Sequence, residues 1–185
     1  ALLEKGAAID DKDRTGHTAL NWAVMRGRTQ VAALLVTKEA NINAQDNNGI
    51  SPLLYAVGTH NTELVKLLLD KGAKLEVETR DNKMTPLLLA IENNDIEIIK
   101  MLLNKGVNVN GVNRDHFSPL MAAAEKGQTE LVQTLLDRDA KVNQRDNKNM
   151  TPLLYAADKQ HIETMQLLLA RGADVNANDR KGRTA

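Results

Sequence analysis

Residues that could carry out chemistry are few in this sequence and widely separated. There is no cysteine, and the two serines, Ser51 and Ser118, each stand directly before a proline. Four histidines are spread along the chain: His17, His60, His116 and His161. None is paired with another at a metal-ligand spacing such as His-x-x-x-His, and no glycine-rich phosphate loop is present. We therefore expect no catalytic residue, no metal site and no cofactor, and we expect the protein not to be an enzyme.

The charge balance argues against nucleic acid as the partner. Lys plus Arg and Asp plus Glu each number 24, so the formal net charge is zero. Proteins that bind polyanions usually carry a surplus of basic charge. No apolar run approaches the 18 residues that a membrane span needs, so we expect no membrane insertion.

A seven-residue motif recurs along the chain and sets its organisation. One copy reads Thr151-Pro152-Leu153-Leu154-Tyr155-Ala156-Ala157. The other copies also begin at a hydroxyl residue: Thr18, Ser51, Thr85, Ser118 and the truncated Thr184. The steps between these residues are 33, 34, 33, 33 and 33. A period of this length is typical of repeat proteins, in which each repeat buries its apolar face against its neighbours.

Each repeat predicts a turn followed by two helices. The hydroxyl residue stands where a helix N-cap is favoured, and proline follows it in four of the five full repeats. The first helix is expected to run to about Gly27, His60, Asn94, Gly127 or Gln160. The second helix is expected where apolar residues recur at i, i+3 and i+4, as in 63–69, 97–103, 130–136 and 163–169.

We expect one continuous array over residues 1–185. Residues 1–12 would end a partial repeat, and residues 179–185 would begin a truncated one. The full repeats would occupy 13–45, 46–79, 80–112, 113–145 and 146–178. The connection at 74–84 is irregular, with a longer lead-in and a tighter turn, which is either a feature of the binding face or a neutral change of length.

These residues resemble the ankyrin repeat, whose pattern is a turn, T-P-L-H-x-A, two antiparallel helices and a Gly-Ala-x-x-x-Asn ending. The resemblance covers nearly the whole chain. It implies an all-α fold, an ankyrin-repeat solenoid of stacked helix-turn-helix units with projecting β-hairpin-like turns. It also implies a protein-interaction scaffold without catalysis of its own.

The sequence departs from the family pattern at two positions. The histidine of the pattern is replaced in every repeat, by Asn21, Leu54, Leu88, Met121 and Leu154. In the family this imidazole hydrogen-bonds between neighbouring repeats, so we expect buried apolar packing to replace that bond here. Glu39 and Asp139 stand where other repeats have the glycine that ends the second helix, and we expect less relaxed helix ends there.

The residue before the capping hydroxyl is apolar in four consecutive repeats. These residues are Ile50, Met84, Phe117 and Met150, flanked by the polar His17 and Arg183. Turn tips are normally polar, so an aligned apolar set predicts either an exposed binding patch or side chains that fold back to seal the stack. By resemblance to the family, the ends of the first helices add further candidates for partner binding: Met25, Arg26, Thr59, Glu92, Asn93, Glu125, Lys126, Asp158 and Lys159.

The favoured function is therefore a non-catalytic scaffold that binds a protein or peptide on its concave face of turns and first helices. The alternatives are a regulatory, inhibitory or targeting module of a larger enzyme or effector, and a lipid or nucleic-acid binder. We expect an intracellular, cytoplasmic monomer, with end-to-end association through uncapped termini as a further option.

Overall fold

The computed structural model describes residues 8–185, and its helices lie in two compact halves. The N-terminal half covers Ala1–Val107 and the C-terminal half covers Asn108–Ala185. Within the described residues the fold is all-α, as predicted, with ten helices and no strand. The predicted division into repeats and the single continuous array stay predictions, and residues 1–7 of the expected partial repeat lie outside the described residues.

The N-terminal half contains three helix pairs. They are α1 (Ala19–Met25) with α2 (Thr29–Thr37), α3 (Pro52–Gly58) with α4 (Thr62–Asp70), and α5 (Pro86–Glu92) with α6 (Ile96–Asn104). The odd-numbered helix of each pair is called the first helix of its repeat, and the even-numbered one the second. Each first helix packs on its own second helix and on the next first helix of the same half.

The C-terminal half contains two further pairs. They are α7 (Pro119–Glu125) with α8 (Thr129–Leu136), and α9 (Pro152–Asp158) with α10 (Ile162–Ala170). The first helices α7 and α9 pack against each other, and each also contacts its own second helix. The core of both halves is aliphatic, because leucine, isoleucine, valine and alanine make up nearly all of the buried apolar residues.

The first helices begin as predicted. In each of the five full repeats the side-chain oxygen of the capping Thr or Ser accepts a hydrogen bond from the N–H three residues later, at 3.3 Å. Proline is the first residue of α3, α5, α7 and α9. The helices end about two residues before the predicted positions, because the expected last residues have positive φ: Gly27, His60, Asn94, Gly127 and Gln160.

The residues that replace the pattern histidine are buried, as predicted. Leu88 and Met121 are fully inaccessible, and Leu154, the most exposed of the five, reaches only 5%. Asn21 differs from the others because its Nδ2 donates to the carbonyl of Ala44 at 3.0 Å. The expectation of apolar packing in every repeat is therefore wrong for the first repeat, where a buried amide makes a hydrogen bond within residues 13–45.

Two second helices end without glycine, as the sequence indicates. Glu39 and Asp139 adopt φ of 64° and 62°, a region that side chains other than glycine seldom occupy. Gly72 and Gly106 stand at the same position with φ of 81° and 79°. The residue after the second helix thus adopts the left-handed conformation whether or not it is glycine.

Candidate partner-binding face

An acidic or amide side chain at the start of a turn holds the turn closed. Asp46 Oδ1 accepts hydrogen bonds from the N–H groups of Asn48 at 2.9 Å and Ile50 at 2.8 Å. Asp146 makes the same pair of bonds in the turn 146–150, both at 2.8 Å. Equivalent side chains are Asp13, Asn113 and Asp179. These bonds fix the backbone of the turns that carry the predicted apolar residues.

The second carboxylate oxygen of two turn aspartates is bound by a tyrosine nine residues later. Tyr55 Oη donates to Asp46 Oδ2, and Tyr155 Oη donates to Asp146 Oδ2, both at 2.6 Å. Burial, followed by the hydrogen bond to the carboxylate, raises the pKa of each phenol well above its ordinary value. Each tyrosine therefore ties a turn to a first helix and holds its half-buried ring in one orientation.

The first turn uses an indole in the same way. Trp22 Nε1 donates to Asp13 Oδ2 at 2.9 Å, and the hydroxyl of Thr15 donates to Asp13 Oδ1 at 2.6 Å. The Thr15 hydroxyl, followed by the indole, holds the pKa of the Asp13 carboxyl far below its usual range. The guanidinium carbon of Arg26 lies 4.8 Å from the Trp22 ring centroid, a cation–π contact at the end of α1.

His17 joins the first two repeats. Its Nε2 lies 2.8 Å from Tyr55 Oη, and its Nδ1 lies 2.5 Å from Thr15 Oγ1. The ring centroid is 5.0 Å from that of Trp22 and 5.7 Å from that of Tyr55. The predicted site residue His17 is thus part of an aromatic cluster, with only 11% of its side chain exposed.

The predicted apolar residues before the capping hydroxyls differ in exposure. Phe117 is half-buried and meets the ring of Tyr155 edge to face, with centroids 5.2 Å apart. Ile50 and Met84 are also half-buried. Met150 is only 9% exposed and packs in a cluster with Leu154, Ala177 and Tyr155. Of the two alternatives, Met150 follows the second, a side chain that packs back on the stack, while partner binding by these residues stays a prediction.

Most predicted residues at the first-helix ends lie on the surface. Met25, Asn93 and Glu125 are half-buried, and the other candidates are exposed: Arg26, Thr59, Glu92, Lys126, Asp158 and Lys159. Asn93 Nδ2 donates to the carbonyl of Val57 at 3.3 Å. Lys159 Nζ lies 3.9 Å from Glu125 and 3.7 Å from Asp158, so both signs of charge alternate there.

The irregular connection at 74–84 closes its turn with a different side chain. Thr79 Oγ1 accepts the N–H of Met84 at 3.1 Å, where other turns use an aspartate or asparagine. Lys83 takes a positive φ of 53° in the tightened turn. The N–H of Arg80 donates to the carbonyl of Asn48 at 2.8 Å, which keeps this turn bonded to the one before it. The altered length thus leaves the turn-to-turn contact intact.

Trp22, Tyr55 and Tyr155 were missed by sequence reasoning, although each carries a signal. Each stands nine residues after a turn aspartate, and a spacing shared by three repeats marks a possible side-chain bond between turn and helix. Leu89 and Ala122 stand at the same place in the other two repeats and cannot make that bond.

Residues 8–185 contain neither a candidate metal site nor a helix that could span a membrane. No group of three or more histidine, aspartate or glutamate side chains there is placed to hold a metal ion. The helices in this part of the chain are too short or too polar for any of them to cross a membrane.

Comparisons with known proteins agree with the fold and with this arrangement of turns and helices. A family model described as ankyrin repeats (3 copies) matches residues 1–79, 34–113, 75–146 and 110–179, so the chain belongs to the ankyrin repeat family. Among solved structures, it is similar to the ankyrin repeat domain of Bcl-3, a member of the IkappaB protein family. The two are 26% identical with a TM-score of 0.84, and the match covers 99% of this chain and 82% of that one. Among curated proteins, none matches significantly.

Proposed function

We propose that the protein is a non-catalytic scaffold that binds a partner protein or peptide on the face formed by its turns and first-helix ends. Ankyrin repeats are in general protein–protein interaction modules, which supports the class of function. They are typically non-catalytic, which agrees with the scarcity of nucleophiles in the sequence. Cytoplasmic location and a monomeric state stay predictions.

The observation that carries the proposal is the ring pair of Phe117 and Tyr155. Both rings are half-buried, and the bond from Tyr155 to Asp146 holds one of them in place. Aromatic side chains fixed before binding lose little conformational entropy when a partner packs on them. Rigid, partly exposed aromatic residues are also the residues that most often dominate interface energies.

The charges near this ring pair suit a partner of mixed polarity. Glu125 and Asp158 are the last residues of α7 and α9, and Lys126 and Lys159 follow them. These two first helices therefore each end in one acid followed by one base. Side chains of this kind form the polar rim of an interface and contribute to specificity more than to affinity. A partner with an apolar centre flanked by both signs of charge fits this surface.

The proposal is tested by exchanging charges on the proposed face. The double variant Lys126→Glu/Asp158→Lys reverses two exposed charges and leaves the net charge unchanged. The matched control Glu97→Lys/Lys100→Glu does the same on α6, a second helix. A partner captured by the protein in a cross-linked pull-down should bind the first variant at least about ten-fold more weakly and the control within about two-fold. Equal affinities for the two variants would contradict the proposed face.

A further inference from the structure

The turns of the C-terminal half carry a row of exposed basic side chains. The three turn segments are 113–117, 146–150 and 179–183. Apart from Arg183, which is paired with Asp179, the lysines and arginines on them or next to them are Arg114, Arg145, Lys148, Arg180 and Lys181, all exposed. Together we call them the cationic ridge. Asp115 is the one exposed acid on these three segments.

The remaining acids of these turns are already engaged. Asp146 accepts two backbone N–H groups and the Tyr155 hydroxyl. Asp179 accepts two backbone N–H groups and an ion pair from Arg183 at 2.7 Å. Both aspartates are buried, with 7% of each residue exposed. They are therefore turned inward and leave the positive charge of the ridge facing solvent.

Three cations of the ridge have no acidic partner within residues 8–185. Lys148, Arg180 and Lys181 form none of the ion pairs that the described part of the chain contains, and their side chains make no hydrogen bond there. Arg145 is used differently, since its Nη1 donates to the carbonyl of Asn178 at 2.9 Å. The unpaired cations are thus available to a ligand without breaking an existing contact.

The ridge is rigid because consecutive turns are bonded to each other. The N–H of Asn147 donates to the carbonyl of Asp115 at 2.9 Å, and Asn147 Nδ2 donates to the carbonyl of Arg114 at 3.2 Å. The N–H of Arg180 donates to the carbonyl of Lys148 at 3.1 Å. These bonds hold three basic turns at the spacing of packed repeats, about 8–10 Å. Little ordering is then needed when a ligand binds.

We propose that the cationic ridge docks an acidic segment of a partner protein in polyproline II conformation. In that conformation every third residue returns to the same side after about 9.3 Å, which matches the spacing of the turns. A segment with an acid at every third position would place one carboxylate against each turn. This inference rests on the proposed scaffold function and assigns a partner chemistry to one part of its surface.

A protein segment fits the ridge better than a nucleic acid. The ridge spans three turns, and the chain as a whole has as many acids as bases, 24 of each. A polyanion that extended beyond the ridge would meet the acids of the remaining surface and lose affinity. A short acidic segment with defined spacing avoids that repulsion.

Two synthetic peptides of equal composition test the spacing. One has the sequence (Glu-Pro-Pro) repeated three times, and the other has three consecutive glutamates followed by six prolines. We expect the full chain to bind the spaced peptide at least about five-fold more tightly in a fluorescence anisotropy titration at low salt, because only its carboxylates match three turns. Equal affinity for the two peptides, or tighter binding of a single-stranded oligonucleotide with three phosphates, would overturn the proposal.

Charge-reversed variants test the location. Lys148→Glu/Lys181→Glu changes the ridge, and Lys66→Glu/Lys100→Glu changes the net charge equally on the second helices α4 and α6. We expect affinity for the spaced peptide to fall at least ten-fold in the first variant and less than two-fold in the second, with unchanged circular dichroism in both. Equal losses of affinity in the two variants would show that only net charge matters, and this result would overturn the proposed docking on the ridge. The scaffold function would still be supported after such a result if the Lys126→Glu/Asp158→Lys variant failed to bind the captured partner.

Discussion

Tyr155 Oη donates a 2.6 Å hydrogen bond to Asp146 Oδ2, and this bond ties the turn of the last full repeat to its first helix. Tyr55 and Asp46 form the same bond at the same distance in the second repeat. Both aspartates are buried, so the phenol hydroxyl satisfies a carboxylate oxygen that solvent cannot easily reach.

Removing the hydroxyl should destabilise the fold more than its small size suggests. Tyr155→Phe leaves Asp146 Oδ2 without this donor in a buried position, and we expect a loss of about 1–3 kcal/mol in the free energy of unfolding. Urea denaturation measures it. In a double-mutant cycle with Asp146→Asn, most of the Tyr155→Phe effect should disappear. Independent, additive effects would show that the bond contributes little.

The raised pKa values of Tyr55 and Tyr155 predict loss of stability in base. In the unfolded chain these phenols ionise near pH 10, whereas in the folded protein burial and the neighbouring carboxylate keep them neutral. Their contribution is therefore complete below about pH 10 and is lost as the pH rises above it. Urea midpoints between pH 8 and pH 12 should fall steeply in the parent chain. The urea midpoint of Tyr55→Phe/Tyr155→Phe should fall less steeply with pH. An equally steep fall in this variant would show that ionisation of the two tyrosines is not the cause.

The lowered pKa of Asp13 predicts the opposite dependence in acid. Its hydrogen bonds to Thr15 and Trp22 favour the carboxylate in the folded state, so this stability is present above about pH 4 and is lost as the pH falls further. Trp22 fluorescence should report the loss, since its indole donates to the same carboxylate. In Asp13→Asn, the fluorescence change below pH 4 should be smaller. A change of the same size would place its origin elsewhere.

Glycine at position 127 is required by a close neighbour in addition to its positive φ. Gly27 and Gly127 have φ of 65° and 64°, but an added Cβ lies 3.6 Å from Asn61 in the first case and 2.6 Å from His161 in the second. The ring of His161 bonds the carbonyl of Glu125 at 3.0 Å and would have to move. We expect a cost of about 1 kcal/mol for Gly27→Ala and about 2–3 kcal/mol for Gly127→Ala. Thermal unfolding with equal shifts for the two variants would contradict this explanation.

The buried amide of Asn21 should resist replacement by the leucine that other repeats carry. Asn21→Leu removes the bond to the Ala44 carbonyl and the two bonds from Thr18, and we expect a loss of about 1–3 kcal/mol. Leu88→Met, a change of similar volume at the equivalent position, should cost less than about 1.5 kcal/mol. Chemical denaturation compares them. If Asn21→Leu proves neutral or stabilising, the polar link has no net value.

The sequence predicts the helices well because their signals are local. A capping hydroxyl, a following proline and an apolar stripe define each helix within a few residues, and the repetition confirms each signal several times over. The side chains that shape the candidate site are less predictable. Met150 and Phe117 occupy equivalent positions, yet Met150 is buried against Leu154 and Ala177 whereas Phe117 is half-buried beside Tyr155.

Contacts between repeats explain most of the remaining differences. Whether a side chain at a turn is exposed depends on the residue that faces it in the next repeat. A period of 33 residues predicts the position of that residue but not its type. The His161 bond to Glu125 and the His17 contact with Tyr55 are both of this kind, and neither residue type recurs at its position in every repeat. A single sequence shows such pairs only after the structure has identified them.

Amide hydrogen exchange with and without a captured partner tests the proposed binding face most directly. The partner would be one isolated by cross-linked pull-down and then prepared in pure form. We expect binding to slow exchange in the turns and first helices, including residues 113–126 and 146–159, and to leave the second helices 129–136 and 162–170 unchanged. Protection confined to the second helices, with no change at the turns or first-helix ends, would contradict the proposed face.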